Sequence, residues 1–187
     1  MSLILEAVAT TTQRTWTDEQ LMALPDDGKY ELVDGELLHM SPAGARHGNI
    51  VTRLLARIHV FVTERRLGYV FDGQTGFRLP DGNLRSPDVS FVAAARLSGD
   101  VPAGFLHVAP DLAVEVLSPT DRAGDVAHKV GEYLGVGVRL LWVIDPEKLS
   151  AVAYRPGTTP KGVRLDGALD GEEVLPGFSC PLRELLE

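Results

Sequence analysis

Two short apolar stretches and the segment that follows them decide the fold: Arg85–Val92 (RSPDVSFV), Pro110–Pro119 (PDLAVEVLSP) and the residues up to Lys129. Asp88 stands at the head of the first apolar run, and Glu115 lies inside the second. A carboxylate is strongly disfavoured in a buried strand unless a cation pairs with it. Two such carboxylates with a lysine nearby therefore suggest a divalent-metal site of the kind that cuts phosphodiester bonds.

The segments around Glu115 and Lys129 are predicted to form a strand–helix–strand crossover. Leu112–Leu117 is an apolar run broken only by Glu115, which is typical of a central strand. A helix is predicted over Asp121–Leu134, and Arg139–Ile144 is a second buried strand ended by Asp145-Pro146. This region therefore predicts a strand–helix–strand crossover within a mixed sheet.

The rest of the chain adds helices, a hairpin and a meander. Thr17–Gln20 is a capping box for a short helix ending before Pro25, and Asp34-Gly35 is a strong hairpin signal. The other predicted elements are a loop over 41–48, a helix over Asn49–Arg66, strands over 69–71, 75–79, 87–92, 151–154 and around Val163, a turn at Asp81-Gly82, and a helical turn over 181–186. This order predicts an α/β fold with a central mixed sheet, helices on both faces and an N-terminal β-hairpin.

Length and composition bound the class of protein. The 187 residues fit one domain, which we place at 16–187, preceded by an N-terminal arm over 1–15. The single cysteine, Cys180, excludes an intramolecular disulfide framework and suits a reducing compartment. No apolar run approaches the roughly 20 residues that span a bilayer, and the start does not resemble a signal peptide. We therefore expect a cytoplasmic protein without a membrane partner.

Charged residues are distributed unevenly along the chain. The net charge of −8 argues against strong non-specific DNA binding. Residues 46–66, however, hold five arginines against Glu64 alone. Arg46, Arg53 and Arg57 are therefore the candidate nucleic-acid contacts, on a local basic face of an acidic protein.

Asp88 and Glu115 are the candidate metal ligands, since carboxylate oxygens suit Mg²⁺ or Mn²⁺. The alternative is that Asp88 caps a turn and Glu115 pairs with an arginine, because structural ion pairs imitate functional sites. Lys129 either leans toward Glu115, where it would orient the attacking water, or pairs with Asp125 in solvent at i, i+4.

Two further residues are candidates for an assisting role. Glu31 interrupts a β run and needs a cation if its face of the strand is buried. His47 lies where a loop enters the long helix, and beside a metal site it could bind phosphate or move a proton. Tyr133 is interpreted as a core residue.

Several of these segments together resemble a known family. They are Tyr30–Leu37, Met40-Ser41-Pro42, His47, Ser86–Val89, Glu115–Pro119, Lys129 with Tyr133, and Gly137-Val138 to Trp142–Pro146. In order and spacing, over about Trp16 to Leu185, they resemble the Uma-type family of restriction-endonuclease-like proteins, which is similar in fold to the PD-(D/E)xK nuclease superfamily.

The resemblance implies a metal held at one end of a central mixed sheet. It implies Asp88, Glu115 and the Val116 carbonyl as ligands, and Glu31 as an acid supplied from the N-terminal part. The sequence departs from the superfamily at one position, because Leu117 stands where the lysine two residues after the glutamate is usual. The resemblance implies that Lys129, on the next helix, takes its place.

Two classes of function remain open at this point. One is a Mg²⁺- or Mn²⁺-dependent endonuclease acting on DNA as a homodimer, with Asp88, Glu115, Lys129, Glu31 and His47 as its catalytic residues. The other is a non-catalytic module on a nuclease scaffold that binds nucleic acid or protein, or that assembles through a sheet edge or its C-terminal tail.

Overall fold

The computed structural model describes residues 16–25, 28–97 and 99–187, so the predicted arm over 1–15 lies outside the described residues. The helices are α1 (Asp18–Met22), α2 (Ala45–Arg65), α3 (Ala123–Gly135) and α4 (Arg183–Leu186). The strands are β1 (Lys29–Val33), β2 (Glu36–Met40), β3 (Gly68–Asp72), β4 (Phe77–Arg78), β5 (Leu84–Arg85), β6 (Val89–Ala93), β7 (Leu112–Val116), β8 (Leu140–Asp145), β9 (Ser150–Tyr154), β10 (Lys161–Arg164), β11 (Ala168–Asp170) and β12 (Ser179–Pro181).

A six-stranded mixed sheet in the order β10-β9-β8-β7-β6-β3 forms the centre of the molecule. β7 and β8 are parallel and are joined through α3, whereas the neighbouring pairs are antiparallel. The predicted central mixed sheet with its strand–helix–strand crossover is therefore confirmed.

The two faces of this sheet pack against different helices. Ile50, Leu54 and Ile58 of α2 share a buried cluster with Val114 and Val116 of β7. On the opposite face, side chains of α3 pack with Ala113 of β7 and with Leu141 and Val143 of β8. Because side chains alternate along a strand, Glu115 points to the face opposite Val114 and Val116, which is the α3 face.

A second sheet, in the order β2-β1-β5-β4, contacts α3 through Glu31 of β1 and Arg85 of β5, which lie against Lys129 and Glu132. Asp34 and Gly35 have positive φ angles of 50° and 82°, as a tight two-residue hairpin turn between β1 and β2 requires. The Thr17 capping box of α1 is also present, so both local predictions are confirmed.

The predicted start of α2 is wrong. α2 begins at Ala45 after Gly44, not at Asn49, because one interior glycine costs only about 1 kcal/mol and the packed face of a long helix offsets that cost. His47 therefore lies on the first helical turn instead of in a loop. The strand predicted over 87–92 is present as β6, and it is preceded by an additional short strand, β5, which belongs to the other sheet.

Within the described ranges, none of the helices combines the length and apolar character needed to cross a bilayer.

Candidate active site at the edge of the central sheet

Asp88 and Glu115 lie side by side at one end of the central sheet. Val89 of β6 is paired with Val114 of β7 in antiparallel register, so the residues before and after them are neighbours. The backbone N–H of Val116 donates to Oδ2 of Asp88 at 2.7 Å, which fixes the Asp88 carboxylate against the end of β7. The adjacent strands thus bring together two acids that are 27 positions apart in the chain.

Asp88 is partnered by His47 from the first turn of α2. The His47 Nε2 atom lies 3.1 Å from Oδ2 of Asp88, and both side chains are about 15% exposed. Burial by itself would raise the pKa of Asp88, but the hydrogen bonds from His47 and from the Val116 amide outweigh it and hold that pKa below its ordinary value. The same hydrogen bond to Asp88 raises the pKa of His47, against the opposing effect of burial.

Glu115 is partnered by α3 instead. The Lys129 ammonium donates to Oε2 at 3.1 Å, and the Tyr133 hydroxyl donates to Oε1 at 2.8 Å. Lys129 and Tyr133 are four residues apart and therefore lie on one face of the helix. Lys129 turns toward the sheet rather than toward Asp125 and solvent, and Tyr133 is a core residue whose hydroxyl also serves the site.

The charges around Glu115 differ from those around Asp88. Burial raises the pKa of Glu115, and the negative charges of Asp88 and Glu31 raise it further, so the opposing charge of Lys129 leaves the pKa above its ordinary value. Burial would lower the pKa of Lys129, but the charges of Glu115 and Glu31 raise it overall. Lys129 is therefore a cation at neutral pH.

Glu31 is 1% exposed and lies next to the Glu115–Lys129 pair. Its Oε2 accepts from Arg85 at 2.9 Å and lies 3.9 Å from the Lys129 ammonium, while its Oε1 accepts from the Ser86 amide at 3.2 Å. Burial would raise the pKa of Glu31, but the charges of Lys129, Lys29 and Arg85 lower it. Glu31 therefore ties the segment before Asp88 to the cation that serves Glu115.

Arg85 and Glu132 complete the buried network, and sequence reasoning missed both. Arg85 Nε donates to Glu132 at 2.9 Å, a second guanidinium nitrogen also contacts Glu132, and Asn83 donates to Glu132 at 2.7 Å. Glu132 lies three residues after Lys129 on α3. The available signal was an arginine at the start of an otherwise apolar stretch, since a buried arginine needs a carboxylate partner.

The sequence model of one family, Uma2, matches residues 18–183, which is most of the chain; its description is "Putative restriction endonuclease". The chain belongs to the Uma2 family. The resemblance inferred from the ordered motifs is thereby confirmed. A comparison with curated proteins finds no match.

Among solved structures, the Uma2 chain is similar to the crystal structure of a "putative nuclease belonging to DUF820" from Anabaena variabilis. The two share 20% sequence identity with a TM-score of 0.80, and the superposition covers 91% of this chain and 97% of the other. At this identity the similarity shows the fold, and it confirms the predicted nuclease-like architecture.

The candidate nucleic-acid contacts of this Uma2 protein divide into one arginine next to the Asp88–Glu115 site and two that contact α4. Arg46, next to His47, is ion-paired with Glu147 at 2.7 Å and is about half exposed. Arg57 pairs with Glu184 of α4 at 2.9 Å, and Arg53 donates to the Glu184 carbonyl at 3.5 Å. Arg53 and Arg57 are thus used within the chain to hold α4, whereas Arg46 borders the site.

The carboxylate oxygens of Asp88 and Glu115 fit a hydrated hard cation. Within the described ranges, no three or more His, Cys, Asp or Glu side chains are grouped to hold a metal ion. Asp88 and Glu115 offer two carboxylates, and Mg²⁺ is commonly held by one or two carboxylates together with water and phosphate oxygens. Among the described residues no donor bonds to Oδ1 of Asp88, so that oxygen is available to a cation.

Proposed function

We propose that this Uma2 protein is a divalent-metal-dependent endonuclease that hydrolyses phosphodiester bonds in DNA. The observation that carries the proposal is the convergence of Asp88, which immediately precedes β6, with Glu115 of β7 and Lys129 of α3 on one end of the central sheet. The three residues come from separate parts of the chain, and an oxygen-ligand pair beside a fixed cation is what phosphoryl chemistry requires. Family membership and the nuclease-like fold support the same reaction class.

Asp88, Glu115 and the Val116 carbonyl would hold Mg²⁺ or Mn²⁺. A divalent ion there supplies an activated water and neutralises the charge that develops on the phosphate. The chain prepares the two carboxylates for this task, because the Val116 amide orients Asp88 and the Tyr133 hydroxyl orients Glu115.

Lys129 acts as an electrostatic group rather than as a base. Its raised pKa keeps the ammonium charged at neutral pH, so it cannot accept a proton from water there. A fixed ammonium can instead donate hydrogen bonds to the attacking water and to a phosphate oxygen as negative charge grows. Its place on α3 compensates for Leu117 at the position where the resemblance expects lysine.

His47 and Glu31 act through other residues. His47 donates to Asp88 and orients its carboxylate. A metal ion or a phosphate bound beside Asp88 would contact the imidazole. The two oxygens of Glu31 are occupied by Arg85 and the Ser86 amide, so Glu31 positions Lys129 and the Asp88 segment. We therefore assign Glu31 and His47 as positioning residues.

The test is cleavage of supercoiled and single-stranded circular DNA with Mg²⁺ or Mn²⁺. Wild type is compared with Glu115→Gln and Lys129→Met, and with the matched surface variants Glu64→Gln and Lys161→Met, all checked for folding by circular dichroism. Metal-dependent nicking that survives in the two surface variants and disappears in the two site variants is the expected result. Full activity in Glu115→Gln would contradict the proposal.

A non-catalytic binding module is the second candidate. The observation that favours it is that Asp88 and Glu115 already have partners within the chain, and that the net charge is −8. Calorimetric titration with Mn²⁺ distinguishes the two functions. A nuclease binds the ion and loses that binding in Asp88→Asn, whereas a module that uses both acids only as structural ion pairs binds no ion.

A further inference from the structure

A cavity of about 310 Å³ lies between the β1–β2 hairpin and α3, and Glu115 and Lys129 line it. This volume is at the small end of the range for pockets that hold organic ligands. Because the cavity borders the two residues assigned to the reaction, its occupant would be a part of the substrate next to the cleaved bond.

One wall of the cavity is an apolar face of the hairpin. Leu38 is directly opposite Glu31 in the antiparallel register, so their side chains share a face, and Val33 lies two residues further along the same face. Among the described residues, neither Val33 nor Leu38 belongs to a core cluster. Met40, at the outer end of this face, is 39% exposed. These side chains thus line the opening instead of filling the protein interior.

The facing wall is apolar inside and acidic at its rim. Leu117, Val126 and Val130 line the inner part, and Asp121 and Asp125 lie exposed at the edge. Carboxylates at the rim accept hydrogen bonds from N–H groups, as Asp121 already does from the Ser118 amide at 2.7 Å. The cavity therefore suits a flat apolar group that carries N–H donors and is attached beside a phosphodiester.

We propose that the cavity holds one nucleobase of the substrate, unstacked beside the phosphodiester at Glu115 and Lys129, so that the protein acts on single-stranded or unpaired nucleic acid. The inference rests on the proposed nuclease function. Removing a base from a duplex costs stacking and pairing energy, whereas a base in a single strand is already available.

The first experiment measures base entry without cleavage. Single-stranded DNA 12-mers carrying 2-aminopurine at successive positions are titrated with protein in EDTA. The fluorescence of 2-aminopurine is expected to change at one position only, and Leu38→Trp, which fills the cavity, is expected to weaken that binding at least tenfold. Val60→Trp is the matched control, because Val60 is 53% exposed on α2 away from the cavity and its substitution leaves the signal unchanged.

The second experiment measures cleavage with Mg²⁺. We expect wild type to cut a single strand at least tenfold faster than the same sequence fully paired, and an abasic residue at the responsive position to lower the rate at least tenfold. The abasic substrate tests the cavity on the wild-type chain, so the answer does not depend on how the variant folds.

The outcomes separate the two proposals. Equal cleavage of single strand, duplex and abasic DNA would overturn the nucleobase cavity and leave the nuclease standing. A position-specific 2-aminopurine signal without cleavage of any substrate would support the cavity and overturn the nuclease. Absence of both the signal and cleavage would overturn both proposals.

Discussion

The two carboxylates at the end of the central sheet, Asp88 and Glu115, are neighbours with opposite electrostatics. Asp88 receives hydrogen bonds from His47 and from a backbone amide, and its pKa is lowered. Glu115 receives them from Lys129 and Tyr133, yet its pKa is raised. The difference arises because Glu115 is close to two other acids, Asp88 and Glu31, so that one lysine does not offset burial and two like charges.

The opposite pKa shifts of Asp88 and Glu115 distinguish the effect of each carboxylate on stability from its effect on activity. The folded chain favours the ionised form of Asp88 and disfavours the ionised form of Glu115. An added divalent cation would lie beside both acids and relieve the disfavoured one, since an opposite charge nearby stabilises a carboxylate. Stability and activity should therefore respond differently to the same chemical change at the two positions.

The largest expected effect is on cleavage. If the proposed nuclease function is correct, Asp88→Asn and Glu115→Gln should each lower the rate of DNA cleavage by at least about 100-fold, because each removes one charged ligand of the proposed metal ion and its electrostatic contribution to the transition state. Initial rates on single-stranded DNA with Mn²⁺ measure the loss. If only one of the two amides lost activity, the idea that both carboxylates serve one ion would be wrong.

The second effect tests the buried network on the Glu115 side. Arg85→Met should lower the free energy of unfolding by about 3–5 kcal/mol, because Glu132 loses its buried cation and Glu31 loses one of its cations. Urea unfolding followed by tryptophan fluorescence measures the change. Arg46→Met is the control, since the half-exposed Arg46–Glu147 pair should contribute less than about 1 kcal/mol. Similar losses in the two variants would mean that the Arg85 network does not stabilise the fold.

The third prediction concerns stability at the two acids, where the signs are opposite. The pKa of Asp88 is lowered on folding, so its stabilisation is present above the ordinary pKa of 3.8 and is lost as the pH falls through the folded pKa. Asp88→Asn should therefore lower the free energy of unfolding at pH 7 by about 1.5–3 kcal/mol, the usual contribution of hydrogen bonds to a charged group.

At Glu115 the pKa is raised on folding, so the contribution of Glu115 to stability falls as the pH rises from 4.5 through the folded pKa. Glutamine resembles the protonated acid, so Glu115→Gln should increase the free energy of unfolding at pH 7 and have little effect near pH 4. Urea unfolding of both amide variants at the two pH values tests the signs. A loss of stability in Glu115→Gln at pH 7 would contradict the electrostatic contrast.

The smallest expected effect is at His47. Its pKa is raised on folding, so the contribution of the His47–Asp88 pair is fully present below the ordinary pKa of 6.5 and is lost as the pH rises through the folded pKa. The stability difference between wild type and His47→Gln should be about 1 kcal/mol near pH 6 and should shrink on the alkaline side. A difference that does not change with pH would assign His47 a packing role only.

Local signals predicted much of the architecture. The Asp34-Gly35 turn and the Thr17 capping box depend on neighbouring residues, so they could be inferred directly. The apolar run around Glu115 with the helix and strand after it predicts the strand–helix–strand crossover that joins β7 and β8, because few topologies join such elements. The sequence does not locate the start of α2, because the small residues of segment 41–48 resemble a loop until their packing partners are known.

The candidate site was predictable only in part, for a physical reason. Asp88, Glu115 and Lys129 were marked by residue type and by the ordered motifs, because a charge in an apolar run requires compensation wherever the chain folds. Which group compensates each charge depends on contacts between distant segments. Only the tertiary structure paired Asp88 with His47, placed Lys129 between Glu115 and Glu31, and buried Arg85 against Glu132. The same structure decided the opposite pKa shifts of the two acids, since electrostatic energies depend on distance and burial rather than on sequence separation.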